Sequence, residues 1–228
     1  MFAFVQHQSF LLGTPDAIHT LARKKTARLL VLSDSHGNTN IVRAIVGTFG
    51  AECDALCFCG DGARDMLSVL ATFVSKAEKA SLIPPVIALV RGNGDAESYV
   101  VQSQDAQVTY RVPKSQELTA AGKNILLAHG HYHDVYYGTE AFFHAAKRER
   151  ADVALFGHTH IPYAAHQDGI LLLNPGSCAR PRRSSPASFA IVTISEHNPT
   201  YQFYAIDENT LAFSAYDPPQ EEMSLLWQ

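Results

Sequence analysis

Apolar positions along the chain gather into short, nearly solid runs, and several of these stop abruptly at a glycine beside a carboxylate, an amide or an imidazole. ARLLVLSD (27–34) predicts a buried strand, and NTNIVRAIVGTFG (38–50) has the spacing of a helix closed by Gly50. DALCFCGD (54–61) predicts a second strand, ARDMLSVLATFVSKAEKA (63–80) a helix with a lysine-bearing end, and PPVIALVRGNGD (84–95) a third strand. This β-α-β-α-β order implies parallel strands joined by crossover helices.

The rhythm changes after residue 100. QVTYRVP (107–113) and the segment before NILLAHG predict paired strands, GTEAFFHAAKRER (138–150) a helix, and DVALFGHTH (152–160) another strand. GILLLNPG (169–176), ASFAIVTI (187–194) and TYQFYAID (200–207) follow with no helix between them and predict an antiparallel meander. At the start, TPDAIHTLARKK predicts a short helix with Thr14 as cap, Pro15 at its first position and a basic end. The division expected is an extension over 1–27, one α/β domain with more than one sheet over 28–215, and a loosely packed tail over 216–228.

Composition narrows the function. A chain of 228 residues that is 46% hydrophobic builds a substantial core, and a net charge of -4 favours no polyanionic partner. KRER (147–150) and RPRR (180–183) are short basic exceptions, read first as solvated surface and giving no strong nucleic-acid signal. Four cysteines are too few for a disulfide scaffold; alternation puts Cys57 and Cys59 on one strand face, as buried thiols before zinc ligands. The start lacks a basic segment, Gln6, His7, Gln8 and Ser9 interrupt its apolar residues, and no run approaches membrane-spanning length. A soluble, cytoplasmic protein is expected.

The polar residues at the strand ends carry the chemistry. The five junctions supply Asp34 and His36; Asp61; Asn93 and Asp95; His129 and His131; and His158 and His160. Singly these have structural explanations: Asp34 as a helix-start cap, GDG (60–62) as a turn. Five together, at the strand edge where open α/β sheets bind ligands, point to a site. Carboxylates, an amide oxygen and imidazoles without thiolates suit Mn, Fe, Zn, Co or Ni, whereas Mg favours an all-oxygen shell. The donors exceed the needs of one ion. Two ions use them, one held by Asp34, His36 and His160, the other by Asn93, His129 and His158, with Asp61 bridging as two-metal hydrolysis requires.

The series DSHGN, GD, GNGD, HGH and GHTH, in that order, resembles the motifs of the calcineurin-like metallophosphoesterases, and within them the YfcE-type phosphodiesterase group. AHGH (128–131), GHTHIP (157–162) and LNPGSCARPR (173–182) add to the likeness, which spans about 28–206. The resemblance implies an α/β fold of two packed mixed β-sheets flanked by helices, a four-layer sandwich. It implies the same seven ligands in the same division, two divalent ions with Mn the first choice, a small phosphoester substrate, and a homo-oligomer. It also implies phosphodiester hydrolysis by a metal-bridging hydroxide with Asp61 between the ions; His131 and Asp95 are the further catalytic candidates.

One departure bears on mechanism. Many superfamily members have GNH before an acid; here Gly94 replaces that histidine and Asp95 alone remains. Asp95 is then a group that orients a neighbour or holds the loop, and His131 a candidate donor to phosphate. Arg64 is either a phosphate contact or a surface residue, Asn38 a donor near the metals or a helix cap, and Asn174 and Ser177 a supporting turn. His7, His19, His144 and His166 read as surface residues. Three other readings stay open: a nucleotide or dinucleoside-polyphosphate hydrolase with Tyr132, Tyr136 or Tyr137 as aromatic wall; metal binding without turnover; and a non-catalytic scaffold, the role of a eukaryotic retromer subunit of this fold that has lost part of the metal set.

Overall fold

A computed structural model describes residues 5–102 and 107–219. Helix α1 (Pro15–Arg23) opens as expected, with the Thr14 hydroxyl accepting from the Ala17 N–H and Pro15 in the first turn. The crossover unit follows: β1 (Ala27–Leu32), α2 (Thr39–Phe49), β2 (Ala55–Phe58), α3 (Ala63–Val74), the short α4 (Ala77–Ala80) and β3 (Val86–Leu89). β1, β2 and β3 are parallel neighbours. α2 stops at Phe49, but Gly50 does not close it in a left-handed turn: its backbone stays right-handed, with φ -64° and ψ -40°. A Cβ there would lie 2.1 Å from the Leu82 carbonyl oxygen, so close backbone approach explains this glycine.

Beyond Asp95 the chain makes two hairpins, β4 (Ser98–Gln102) with β5 (Gln107–Arg111) and β6 (Ser115–Ala120) with β7 (Lys123–Ala128). The 107–113 segment therefore pairs with a preceding strand and not with the one before NILLAHG. β4 was missed because none of its residues is buried: exposed and partly buried positions alternate, and Val100 points outward. Helix α5 (Glu140–Arg148) leads to β8 (Val153–Leu155), β9 (Pro162–Gln167) and β10 (Ile170–Pro175). β11 (Ala187–Ile194), β12 (Thr200–Ile206) and β13 (Phe213–Tyr216) form an antiparallel meander. The expected meander is thus shifted by one strand. GILLLNPG belongs to the other sheet, parallel to β8 and antiparallel to β9, and its fully buried strand carries no sign of which neighbour it takes.

The larger sheets run β13-β12-β11-β1-β2-β3 and β6-β7-β8-β10-β9. Alternate side chains of the central strands serve opposite cores. Leu29, Val31, Cys57 and Ala88 face Ile125, Leu127, Leu155 and Leu171 between the sheets. Leu30, Leu32, Phe58 and Ile87 pack outward with Ile45 of α2 and Met66, Leu70 and Phe73 of α3. On the far side, Leu126, Ala154 and Leu172 meet Phe142 and Phe143 of α5. The result is the expected four-layer α/β sandwich. Cys57 and Cys59 are buried free thiols in the inter-sheet core, as the alternation predicts.

Residues 5–26 are more than an appendage. Leu12 and Ile87 exchange backbone hydrogen bonds, N to O at 2.9 and 2.8 Å, so the extension lies along the open edge of β3. Leu11, Leu12 and Leu21 are buried, and the Leu21 carbonyl accepts from Ala121 N–H beyond β6. The segment covers a sheet edge that would otherwise be exposed. At the other end, β13 pairs through Tyr216, past the boundary drawn at 215, and most of the expected tail, 220–228, lies outside the described residues. If the extension is integral, Leu12→Ala lowers stability by about 2–5 kcal/mol in equilibrium urea unfolding. A change within about 0.5 kcal/mol, as for a surface site, would return the segment to the status of an appendage.

Candidate metal centre

The loops after β1, β2 and β3 of one sheet and after β7 and β8 of the other meet at one end of the sandwich. Asp34 and His36 follow β1, Asp61 follows β2, Asn93 follows β3, His129 follows β7, and His158 and His160 follow β8. Asp34 and His129 are fully buried, and Asp61 and His160 nearly so. Asp34 Oδ1 lies 3.2 Å from His160 Nε2, 3.7 Å from His36 Nε2 and 3.9 Å from His129 Nε2. Asp61 Oδ2 lies 3.6 Å from His129 Nε2 and 3.9 Å from His36 Nε2. His158 sets its ring edge-on to His129, 5.1 Å between centroids.

Two groups in this set have the spacing to hold an ion: Asp34 with His36 and His160, and Asp34 with Asp61 and His129. The first is the trio expected from sequence. In the second, Asp34 is the carboxylate common to both groups, whereas sequence assigns the bridge to Asp61. Asp61 Oδ2 nonetheless faces an imidazole from each half. Asn93 stands exposed on the turn between β3 and β4. Its neighbours tie that turn to Asp61: Gly94 N–H donates to Asp61 Oδ1 at 2.7 Å, and a Cβ on Gly92 would sit 2.0 Å from the same oxygen.

The donors fit divalent cations. Asp34 Oδ1 and His129 Nε2 are buried and have no hydrogen-bond partner, an arrangement that is costly unless an ion takes up the lone pairs. His129 Nδ1 is 2.7 Å from the Cys59 carbonyl and His160 Nδ1 is 2.5 Å from the Arg180 carbonyl. A carbonyl only accepts, so each Nδ1 carries the proton and each Nε2 lone pair turns to the centre. Burial alone would push the Asp34 carboxyl up, but the imidazoles of His160, His36 and His129 outweigh it and hold the group well below the usual carboxylate range. Asp34 in turn raises His36, against a smaller effect of burial. Burial, with His129 adding to it, lowers His158 to about 4.

The backbone is bent to deliver these groups. Asp34, His36, Asp61, His158 and His160 all have left-handed φ, between 42° and 70°. Such conformations in residues with side chains are held only where the surroundings fix them. Ser177 Oγ donates to the Asp34 carbonyl at 2.7 Å, and Asn174 Nδ2 donates to the Gly157 carbonyl at 2.8 Å and to Thr159 Oγ1 at 3.0 Å. Both act as the supporting turn read from sequence. Asn38 caps α2, its Oδ1 accepting from Ile41 N–H at 3.2 Å.

Asp95 accepts from the N–H groups of Ala63 and Gly92, both at 3.0 Å, from Gly62 N–H at 3.1 Å and from the Tyr99 hydroxyl at 3.1 Å. Its carboxylate thus ties the loop after β3 to the start of α3. His131 sits beside the centre, its ring 5.3 Å from that of His129 and 6.0 Å from that of His158, with Nδ1 buried and unpartnered.

Asp65 was missed in the sequence. Its Oδ2 accepts from Ser35 Oγ at 2.6 Å and Gly37 N–H at 2.7 Å, the residues on either side of His36. The only hint was an acid in the first turn of a helix, which macrodipole arguments explain equally well.

The two-sheet fold and its Asp/His centre define a metal-dependent phosphoesterase fold. The chain belongs to the calcineurin-like phosphoesterase superfamily, whose domain model matches residues 28–197. It is 31% identical over 176 residues to "Probable metallophosphoesterase YsnB" of Bacillus subtilis (strain 168), covering 77% of this chain and 89% of that protein. Against "Phosphodiesterase YfcE" of Escherichia coli (strain K12) the identity is 28% over 170 residues, 72% of this chain and 86% of that protein. A solved structure from Streptococcus pneumoniae TIGR4, a conserved uncharacterized protein described as a predicted phosphoesterase, superposes with a TM-score of 0.63 at 24% identity. That match covers 85% of this chain and 99% of the other. Among the described residues no helix is long and apolar enough to cross a membrane.

If Asp65 fixes the loop that carries His36, Asp65→Ala lowers the affinity of metal-stripped protein for Mn about 10–100-fold in calorimetric titration. Asp65→Asn keeps an oxygen that accepts both hydrogen bonds and retains most of the affinity. Equal losses in the two variants, or none in either, would remove Asp65 from this role.

Proposed function

We propose that the chain is a dinuclear metal-dependent phosphodiesterase acting on small phosphoesters. The observation that carries this reading is the convergence of two buried carboxylates with a set of imidazoles, where Asp34 Oδ1 and His129 Nε2 lack any partner, at the strand ends of a phosphoesterase fold. Asp34, His36 and His160 would hold one ion, Asn93, His129 and His158 the other, and Asp61 both. When bound, such ions supply Lewis acidity toward phosphoryl oxygens and lower the pKa of water to near neutrality. Manganese is the first choice for this oxygen–nitrogen set, with Zn, Fe, Co and Ni as rivals.

The chain's own groups do the rest. Asp61 is oriented by the Gly94 N–H, so its charge is aimed and not free to turn. His131, which burial favours in its neutral form, carries one ring N–H able to donate to a phosphoryl oxygen. Asp95 has its oxygens occupied by backbone N–H groups and a tyrosine hydroxyl, which supports loop-holding over proton transfer. With Gly94 in place of a histidine, no strong acid stands by the leaving group. Esters with stable leaving alkoxides or aryloxides therefore react best, and diesters of this kind are preferred to alkyl monoesters. A scaffold role has no observation of equal weight, because all seven donors are present.

The test is a substrate and metal panel on metal-stripped protein. Restoring Mn is expected to restore hydrolysis of bis-p-nitrophenyl phosphate, and chelation to abolish it. Asp61→Asn then costs roughly 100-fold or more in kcat/KM. Gly94→Ala costs far less, since its new methyl would stand 3.3 Å from Asp61 Oδ1 and needs only a small shift. Alkyl monoesters cleaved much faster than diesters, or equal activity in the two variants, would refute the reading.

A further inference from the structure

The arginine-rich stretch after β10 was read as solvated surface, yet it lies against the metal centre. The Arg180 carbonyl accepts from His160 Nδ1, the Arg182 N–H donates to the His160 carbonyl at 3.3 Å, and the Arg180 side chain is near enough to act electrostatically on His36. Arg182 and Arg183 line a cleft of about 290 Å³ together with Tyr136, Thr159 and Ile161, so its floor is the chain between and beyond the ligands His158 and His160.

Two features make this cleft more than a basic patch. First, Arg180, Arg182 and Arg183 cluster within four residues, and among the described residues no carboxylate pairs with any of them. Three uncompensated guanidinium groups in a chain of net charge -4 attract an anion to this spot. Second, Arg182 is held: its Nη1 donates to the Tyr136 hydroxyl at 2.7 Å, and its guanidinium lies 5.5 Å from that ring's centroid. The hydroxyl, having accepted, keeps its own hydrogen to donate. The same ring is 5.9 Å from that of His158, so the arrangement reaches the metal ligands in one contact.

We infer that Arg182, Arg183 and Tyr136 form a subsite for a second phosphate of the substrate, beside the phosphodiester at the metals. This rests on the phosphodiesterase reading and narrows it to diesters that carry a further phosphate group. Forked guanidinium donors and a hydroxyl match the oxygens of a phosphate dianion. Tyr136 and Thr159, which line the cleft, are the ring contact and the chain neighbour of His158, so the cleft lies close enough to the metal centre for one small molecule to reach both.

The test compares thymidine 5′-(p-nitrophenyl phosphate) with the same ester bearing a 3′-phosphate, on Mn-loaded full-length protein. The 3′-phosphate is expected to raise kcat/KM about tenfold through KM. The double variant Arg182→Gln/Arg183→Gln brings the ratio between the substrates close to one, and Tyr136→Phe lowers it in part. A wild-type ratio of one, or a ratio the double variant leaves intact, overturns the inference. If neither ester is cleaved, the phosphodiesterase reading fails separately. The subsite is then judged by calorimetric binding of thymidine 3′,5′-bisphosphate against the 5′-monophosphate. Tighter bisphosphate binding that the double variant abolishes upholds it, and equal binding overturns it.

Discussion

The carboxylate of Asp34 sets the terms for the rest of the structure. It is wholly buried, one oxygen has no hydrogen-bond donor, and three imidazole nitrogens stand within 3.9 Å of that oxygen. Desolvating a charged carboxylate costs several kcal/mol, and Asp61, a second buried acid, shares two of these imidazoles. Neutral side chains cannot offset two such charges. Positive charge can, and Asp34 Oδ1 and His129 Nε2 already turn unpartnered lone pairs toward the same point.

Holding that arrangement takes both sheets. Asp34 belongs to a loop of the six-stranded sheet, but its backbone carbonyl is fixed by Ser177 and its Oδ2 by the His158 N–H, both beyond strands of the five-stranded sheet. In the reverse direction, His129 leaves the second sheet and is oriented by the carbonyl of Cys59 at the end of β2. The apolar layer between the sheets therefore fixes the distance between the halves of the centre. Each half supplies donors that the other orients, and neither half alone satisfies its own polar atoms.

Much of this was legible in the sequence, and the failures share a cause. Solid runs such as LLVL and ALCF announce buried parallel strands, because both faces of the central strands are covered. The cluster of Asp34, His36, Asp61, His129 and His160 was legible because imidazoles and acids beside glycines at strand ends have no use in a core. Pairing partners were not legible: Ile170–Pro175 is buried at every position, and nothing in ILLLNP says which sheet receives it. Asp65 was hidden because its role is a long-range contact to the Ser35–Gly37 loop. The extension was underestimated because burial of Leu12 depends on the free edge of β3, which lies far from it in sequence.

The structure also separates two tasks. Asp34, His36, Asp61, His158 and His160 sit at strand ends on left-handed backbone, in loops locked by buried serine, asparagine and aspartate, so their geometry has little freedom to drift. Residues 131–137 and 180–183 surround them with exposed rings and guanidinium groups that belong to loops. A loop residue can change without disturbing a hydrogen bond that orients a ligand, provided the backbone carbonyl of Arg180 stays where His160 needs it. Position 94 shows the same logic inside the centre. Its backbone N–H is what Asp61 requires, and that N–H is supplied whatever the side chain, so a glycine can stand at this position without loosening the grip on Asp61.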